Sequence, residues 1–554
     1  MKTRLILFVL GACLLLGTLV HSQPPTNLIS RETVRQAEKL IGLDFSDTNL
    51  DLMLPGLRTQ LANFETLRQI DLNNGIPPAL LFNPIPQCPG PAAKNVKLRR
   101  APRWSSPGNV RLPSNPDDLA FYSVGELAAL IKSRRITSEQ LTRFHLDRLK
   151  QFGPKLECVV TLTEELALRQ ARRADREIAA GKYRGSLHGI PYGAKDLLAT
   201  KGIKTTWGSV PYQDQVIDED ATVIKRLEEA GAVLVAKLTT GELAWDDIWF
   251  GGQTRNPWKL KQGSSGSSAG PAAATAAGLV PFAIGSETWG SIVSPATRCG
   301  VTGLRPTFGR VSRHGAMALS WSMDKLGPLA RTVEDCALVL HAIQGPDGLD
   351  QTVCDLPFDY DARIKLNKLR IGYLKTDFEK AKQNKENDSA TLAKLRTLGA
   401  TLVPLELPTN YPISSLAFIL SVESAAAFDE LIRSGKVDQL RRPSQATSWR
   451  KARFVPAVEY LQANRIRYLL IQEMASLMKQ VDVFVAPSQE GDNGLLTNLT
   501  GHPCVVMPNG FTKEGTPTSI CFIGQLFGEA TLLAVAKRYQ DATAFHRQHP
   551  KLDP

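Results

Sequence analysis

The chain has 554 residues and a formal net charge of +12, with 43% hydrophobic and 22% charged residues. These values fit a globular protein with a sizeable core, long enough for one large α/β enzyme domain and an extension. The basic residues are scattered except at residues 97–103 and accompany no basic-aromatic motif. The composition therefore argues against nucleic-acid binding.

Residues 1–22 combine a short basic start, an apolar run and a small residue before Gln23. This pattern predicts a secretory signal peptide cleaved after Ser22, and hence a secreted or periplasmic protein. Two alternatives remain: an uncleaved membrane anchor, for which the apolar run is short, and a lipoprotein modified at Cys13.

Seven cysteines follow Cys13, and they form neither a C-x-x-C pair nor a metal-binding pattern. We interpret most of them as buried small hydrophobes, with room for one disulfide in an exporting compartment. No phosphate loop or nucleotide motif is present, so the sequence predicts neither a metal nor a cofactor.

Residues 23–115 are predicted to form a helical extension and a linker that wraps the main domain. Helical periodicity covers residues 30–41 and 47–73, with an interruption expected at Pro55. Residues 76–116 are rich in proline and exclude long regular structure.

The main domain, residues 116–554, alternates helical patterns with short apolar runs. Serines suited to N-capping open helices at Ser123 and Ser138. The other helices are predicted at 164–180, 221–230 and 528–546, and the strands at 232–238, 369–374, 401–405, 481–486, 504–507 and 519–523. This alternation predicts an α/β fold in which helices cover both faces of one sheet.

Residues 256–308 carry almost no charge and are rich in Gly, Ser and Ala without any repeat. Such a segment lets backbone N–H groups converge on one point, as an oxyanion site requires. We therefore predict that it is the active-site segment.

Three separated motifs resemble those of the amidase signature family of serine hydrolases. They are G-I-P-Y-G-A-K-D at residues 189–196, N-P-W-K-L onward from Asn256, and W-G-S-I at residues 289–292, followed by G-L-R-P-T at 303–307. The resemblance covers most of residues 117–546. It implies a single large mixed β-sheet flanked by helices on both faces.

The resemblance also assigns functions to residues. Ser291 would be the nucleophile, Ser267 a bridging serine with a cis peptide bond, and Lys195 the base. A lysine acts as a base only when it is neutral, which burial can achieve by lowering its pKa. The backbone N–H groups of the turn Thr288, Trp289, Gly290 and Ser291 would hold the oxyanion.

The sequence departs from the family's usual pattern at five positions, which are Ser265, Ala269, Glu287, Trp289 and Val293. Trp289 stands where glycine is usual, and a bulky residue is unfavourable at a positive φ. Trp289 is predicted to line the substrate pocket and limit the acyl group, and Ser268 is predicted to hydrogen-bond either the substrate or Lys195.

A competing interpretation makes Ser268 the nucleophile, because residues 266–270 fit the G-x-S-x-G elbow of α/β-hydrolases. That elbow follows a hydrophobic strand, whereas residues 259–265 are polar. It would also need a histidine, either His502 or His546.

The sequence thus predicts an exported amidase that hydrolyses a carboxylic amide through an acyl-serine intermediate. Its partner would be a small-molecule or peptide amide, with no nucleic acid or metal, and the protein would be a monomer or homodimer. The alternatives are a glutaminase component of a tRNA-dependent amidotransferase and a non-catalytic binding protein on the same fold.

Overall fold

The computed structural model describes residues 29–70, 80, 100–381, 383–488 and 490–552. The predicted signal peptide at 1–22 and most of the Pro-rich passage lie outside these residues. The chain divides into two compact units, residues 1–60 and residues 61–554. The described chain contains no helix with the length and apolar content that crossing a bilayer demands.

The first unit contains helix α1 (Arg31–Ile41), as predicted. Its N-cap Ser30 and Thr33 form a reciprocal capping box, and Gly42 ends the helix with φ 65°. Helix α2 (Asp47–Arg68) starts in this unit and runs through Pro55. The predicted interruption is therefore wrong, because proline removes a single backbone N–H from a helix that is otherwise continuous.

The second unit contains the remaining helices and all strands of the described chain. The helices are α3 (Val124–Lys132), α4 (Ser138–Leu156), α5 (Glu164–Ala179), α6 (Thr222–Glu229), α7 (Ala269–Ala276), α8 (Val293–Cys299), α9 (Val333–Ile343), α10 (Lys375–Lys380), α11 (Lys385–Thr397), α12 (Phe418–Ala427), α13 (Asp429–Arg433), α14 (Pro443–Ala452), α15 (Ala457–Met478), α16 (Asn493–Leu499) and α17 (Glu529–Thr543). The strands are β1 (Val159–Leu162), β2 (Pro191–Lys195), β3 (Val233–Leu238), β4 (Ile248–Trp249), β5 (Gly252–Gln253), β6 (Arg255–Asn256), β7 (Lys259–Gly263), β8 (Phe282–Glu287), β9 (Thr302–Arg305), β10 (Lys325–Ala330), β11 (Arg370–Leu374), β12 (Thr401–Leu405), β13 (Val483–Pro487), β14 (Cys504–Phe511) and β15 (Pro517–Gly524).

Eleven of the described strands form one mixed sheet in the order β1-β3-β2-β8-β10-β9-β14-β15-β13-β11-β12. Strands β3, β2 and β8 are parallel, as are β12, β11 and β13, and the other pairings are antiparallel. Helices flank this sheet, so the predicted α/β class with a single large mixed sheet is confirmed.

All six strands predicted from apolar runs are present, but other strands of the main sheet, among them β2 and β8, were not predicted. Both are fully buried, yet Pro191, Gly193 and Gly285 break their apolar pattern. These glycines are needed for close packing, because a Cβ at Gly193 would lie 2.2 Å from the Leu238 side chain. Such strands carry little sequence signal although they position the site.

One predicted cap is also wrong. Helix α4 is capped by Thr137, whose side chain accepts from the Gln140 N–H, and Ser138 is the first helical residue. The Ser138 hydroxyl instead donates to the backbone oxygen of Gly189 at 2.9 Å. It thereby anchors the loop that leads into β2.

Candidate active site

Lys195 lies at the carboxyl end of β2, and its side chain is fully buried. Its Nζ lies 2.8 Å from Ser267 Oγ, 2.9 Å from Ser286 Oγ and 3.1 Å from Ser268 Oγ. Burial lowers the pKa of Lys195 well below its usual value, and the nearby carboxylates of Asp324 and Glu287 only partly oppose this shift. The structure therefore favours a neutral amine.

A neutral amine has two N–H donors and one lone pair, which matches three hydroxyl neighbours. Ser268 Oγ donates to the backbone oxygen of Ser286 at 2.9 Å, so it accepts from Lys195. If Ser286 also accepts, the lone pair of Lys195 faces Ser267. In this arrangement the amine of Lys195 can accept the proton of the Ser267 hydroxyl.

The loop before α7 brings Ser267 to Lys195. Ser265 and Gly266 have φ values of 65° and 58°, so two consecutive left-handed residues make the turn. Every peptide bond of the described residues is trans, and the predicted cis bond at Ser267 is therefore wrong. The left-handed pair reverses the chain without it.

Ser268 is fully buried, and its hydroxyl also accepts from the Ser286 N–H at 3.1 Å. The loop can come this close because Gly285 has no side chain: a Cβ there would lie 2.7 Å from Ser268 Oγ. Ser268 thus supports Lys195 from inside the protein. This position does not favour the predicted substrate contact.

The elbow interpretation finds no support in this geometry. Residues 259–263 do form a strand, β7, contrary to our expectation, but it pairs with β6 outside the main sheet. The His502 ring bonds the Thr500 hydroxyl at 2.8 Å. Neither His502 nor His546 contacts Ser268 within the described residues.

Ser291 lies in the turn between β8 and α8 and is 8% exposed, whereas Lys195 and Ser267 are inaccessible. The Ser268 N–H donates to the Ser291 backbone oxygen at 3.0 Å, which joins the two serine segments. No hydrogen bond connects the Ser291 hydroxyl to Ser267 or Lys195 in the described structure. Ser291 is thus the least buried member of the predicted triad.

The turn at residues 288–291 leaves backbone donors available. Gly290 has φ 82°, so glycine, and not Trp289, occupies the left-handed position. Among the described residues, no acceptor is bonded to the N–H groups of Trp289, Gly290 or Ser291. Free donors next to the serine that would attack the substrate are what an oxyanion site requires.

The buried carboxylate of Glu287 fixes this turn. Its Oε2 accepts from the N–H groups of Ile292 and Val293 at 2.8 and 2.9 Å. Its Oε1 accepts from Arg305 at 2.8 Å and from Asn498 at 2.9 Å. Burial alone would raise the pKa of Glu287, but Arg305 and the backbone donors lower it to about 2. Glu287 is therefore ionised and holds the start of α8.

We expect Glu287→Gln to lower the free energy of unfolding by about 3 kcal/mol at neutral pH, because it leaves the Arg305 charge buried and unpaired. Urea unfolding measures this difference. The pKa of Glu287 is about 2 in the native protein, below its ordinary value of 4.5. The extra free energy of unfolding of the wild type over the variant is therefore complete at pH values above the ordinary pKa. This difference should shrink as the pH falls towards the native pKa. A difference that does not depend on pH would contradict this assignment.

Several residues of the site were not predicted. Ser286 bonds Lys195, and Asp324 accepts from the Thr288 hydroxyl at 2.5 Å. Behind the site, Lys237 and Asp196 form a fully buried ion pair at 3.0 Å. Two of them had a sequence signal: a lysine inside an apolar strand, such as Lys237, needs a partner, and Asp196 ends the motif at residues 189–196.

Two cavities lie beside the turn at residues 288–291. One, of about 270 Å³, is lined by Ser286 and Thr288 and by the apolar side chains of Met317, Leu319 and Leu326. The other, of about 320 Å³, is lined by Trp289 and Gly290. Trp289 is 48% exposed. No group of three or more potential metal ligands occurs in the described ranges.

A family model described as Amidase matches residues 140–533. The A subunit of the glutamyl-tRNA(Gln) amidotransferase from Moorella thermoacetica is 34% identical over 78% of this chain and 99% of that protein. Its counterpart from Methylococcus capsulatus is 36% identical over 77% of this chain and 98% of that protein.

Among solved structures, the native peptide amidase from Stenotrophomonas maltophilia matches this chain with a TM-score of 0.72 and 31% identity. The match covers 79% of this chain and all of that one. The sequence comparisons and the structural comparison thus point to the same family for the main domain. The chain therefore belongs to the amidase signature family and is an amidase-type C–N hydrolase.

Proposed function

We propose that this protein hydrolyses a carboxylic amide through an acyl-Ser291 intermediate, with Ser267 as the proton relay and Lys195 as the base. One observation carries the proposal: a fully buried lysine amine lies 2.8 Å from the Ser267 hydroxyl, and the neighbouring Ser268 N–H donates to the backbone oxygen of Ser291 at 3.0 Å. A serine hydroxyl needs such a base to become a nucleophile at neutral pH.

In the first half-reaction, Ser291 Oγ bonds to the amide carbonyl carbon and its proton passes through Ser267 to Lys195. The same proton then returns to the nitrogen as the C–N bond breaks, and ammonia or an amine leaves. In the second half, water attacks the acyl carbon, gives a proton to the same relay, and the acid is released with Ser291 restored. Because Ser291, Ser267 and Lys195 return to their starting protonation states, the reaction consumes only the amide and one water molecule.

The relay requires the Ser291 hydroxyl to turn towards Ser267 when substrate binds. Catalytic hydrogen bonds often form fully only in the substrate complex. During both half-reactions, the N–H groups of Trp289, Gly290 and Ser291, together with that of Thr288, would stabilise the oxyanion. Each such donor is worth on the order of 3 kcal/mol of transition-state stabilisation.

A fluorophosphonate probe tests the assignment, because it reacts with activated serines, and fragment mass spectrometry then locates the adduct. We expect the adduct on Ser291 and its loss in Lys195→Ala. An adduct on Ser268 would instead support the elbow mechanism. A folded sample without an adduct would favour the non-catalytic binding protein.

A second candidate is the glutaminase reaction within a tRNA-dependent amidotransferase. The curated relatives favour it, since both amidotransferase proteins align over nearly their whole length. Purified protein should be assayed for ammonia release from glutamine and from peptide and acyl amides. Activity confined to glutamine, or appearing only with partner proteins, would establish the second candidate and exclude a free-standing amidase.

Export and the domain limits are part of the proposal. We infer a signal peptide at 1–22, a helical extension at 23–115 and a catalytic domain at 116–554, acting as a monomer or homodimer. Support for export comes from the pattern of residues 1–22 alone. Mass spectrometry of the N-terminus of protein from the native host would show whether cleavage follows Ser22.

A further inference from the structure

Asp324 lies directly before β10 and bonds the first residue of the turn at residues 288–291. Its Oδ1 accepts from the Thr288 hydroxyl at 2.5 Å. Its Oδ2 accepts from the backbone N–H groups of Leu319 and Ser320 at 2.8 and 2.9 Å. Acceptor bonds at both oxygens match the ionised carboxylate, because a protonated carboxyl would use one oxygen to donate.

The loop that carries Asp324 is also held by α12 and α15. The buried carboxylate of Glu423 accepts from the hydroxyls of Ser320 and Ser322 at 2.6 and 2.7 Å. Arg467 donates to the Ser322 hydroxyl at 2.7 Å and to its backbone oxygen at 2.9 Å. These anchors fix the position of Asp324 relative to the core, so Asp324 can fix the position of the turn.

Two carboxylates hold the two ends of this turn. Thr288 follows β8 directly, and Asp324 bonds its side chain. At the other end, Glu287 accepts from the N–H groups of Ile292 and Val293. The backbone donors that would bind the oxyanion lie between these two anchors. Their alignment matters, because a displacement of about 1 Å in a reacting group can cost about 10²-fold in rate.

The charge of Asp324 also acts on Lys195. Ser286 bonds the Lys195 amine at 2.9 Å and lines the cavity of about 270 Å³ together with Thr288 and Asp324. Burial lowers the pKa of Lys195, and the charges of Asp324 and Glu287 oppose this shift, Asp324 more than Glu287. Asp324 therefore keeps the pKa of the buried amine from falling further.

The remaining charged groups around these two residues explain why Asp324 acts more strongly. They are Glu287, Arg305, Arg313, Lys325 and Arg467. Glu287 and Arg305 form a buried ion pair at 2.8 Å, and Arg313 pairs with Asp350 at 3.0 Å. Burial lowers the pKa of Lys325 well below its usual value, which favours a neutral amine. No ion pair of the described chain includes Asp324, so its charge is less compensated than that of Glu287.

We propose that Asp324 is a positioning residue of the amide hydrolysis: it fixes the oxyanion turn through the Thr288 hydroxyl and keeps a negative charge near the Lys195 amine. The inference rests on the proposed function, in which the turn binds the oxyanion and Lys195 is the base. The two contributions can be separated by experiment, because the first depends on a hydrogen bond and the second on a charge.

Asp324→Asn removes the charge and keeps the size of the side chain. We expect kcat to fall by about tenfold with KM within about twofold of wild type, because misaligned donors weaken binding of the transition state only. The fall of activity on the acid side should move to lower pH. Without the charge of Asp324 the pKa of Lys195 drops further, so the amine stays neutral in more acidic solution. A merely structural role would leave this pH unchanged.

Thr288→Val removes the hydroxyl and leaves the charge of Asp324 in place. We expect a similar loss of about tenfold in kcat, with the acid-side fall at the same pH as in wild type. Thr288→Ser keeps a hydroxyl and should retain kcat within about twofold. Adding Asp324→Asn to Thr288→Val should lower kcat by less than about threefold more, since both changes break the same bond.

Asp218→Asn is the control for the loss of one carboxylate, because the Asp218 side chain is 89% exposed. Its kcat and pH profile should match those of wild type. An acid-side fall at the wild-type pH in Asp324→Asn would overturn the inference, and so would equal kcat values for Thr288→Val and Thr288→Ser. The two Thr288 variants decide the positioning role even if Asp324→Asn does not fold. A wild-type protein that hydrolyses no amide and leaves Ser291 unlabelled by the fluorophosphonate probe would instead refute the proposed function.

Discussion

Ser291→Ala is expected to lower kcat for amide hydrolysis by a factor on the order of 10⁵, since removing the nucleophile of a serine hydrolase leaves only the contribution of oxyanion binding. The structure gives the physical reason. Ser291 lies next to the free N–H groups of the turn and is 8% exposed, whereas Ser267 and Ser268 are inaccessible. Steady-state assays with purified variant protein measure the loss.

The matched control is Ser264→Ala. Ser264 belongs to the same serine-rich segment and is fully buried, but its hydroxyl has no partner in the described structure. We expect its kcat to stay within about twofold of the wild-type value, because nothing catalytic depends on this hydroxyl and the change is small in volume. Residual activity of more than about a tenth of wild type in Ser291→Ala would eliminate the acyl-Ser291 mechanism.

The sequence predicted the α/β class and the segment that carries the serines because both depend on local patterns. Apolar runs such as residues 232–238 predict strands, and Ser123 predicts a helix cap. The candidate residues Lys195, Ser267 and Ser291 came from motifs separated by many residues. The structure brings Lys195 and Ser267 into contact, as that resemblance implied.

What could not be predicted depends on pairings between distant parts of the chain. Glu287 is ionised only because Arg305, Asn498 and the start of α8 surround it. Strands β2 and β8 contain glycine where neighbouring side chains need room, which removes the apolar signal. The turn before Ser267 was expected to need a cis peptide, yet left-handed Ser265 and Gly266 suffice.

The sheet explains why these distant residues meet. Strands β2 and β8 are parallel neighbours, so Lys195 and Ser286 both lie at their carboxyl ends. Strand β10 runs antiparallel to β8 and begins at the same edge, which places Asp324 beside Thr288. Sites at the carboxyl ends of parallel strands are common because loops from several strands converge there. One edge of the sheet therefore assembles Lys195, Ser267 and the turn at residues 288–291.

Replacement of Lys195 is expected to have the second-largest effect. Lys195→Met should lower kcat by about 10³-fold, within the range for loss of a general base, and Lys195→Arg should be as inactive because guanidinium does not deprotonate. Burial lowers the pKa of Lys195, so the wild-type enzyme should lose activity on the acid side, below that lowered pKa, as the amine becomes protonated. The pH profile of the residual activity of Lys195→Met should lack this fall on the acid side, because the variant has no amine to protonate.

The same shift predicts how stability depends on pH. The native pKa of Lys195 lies below the ordinary value of 10.5, so between the two values the unfolded chain binds more protons than the native one. The wild-type free energy of unfolding should therefore rise with pH across this window relative to that of Lys195→Met, in which the group is absent. Urea unfolding of both proteins at several pH values measures the difference. A difference that stays constant or falls with pH would mean that Lys195 is charged in the native protein, and a charged lysine could not take the proton from Ser267.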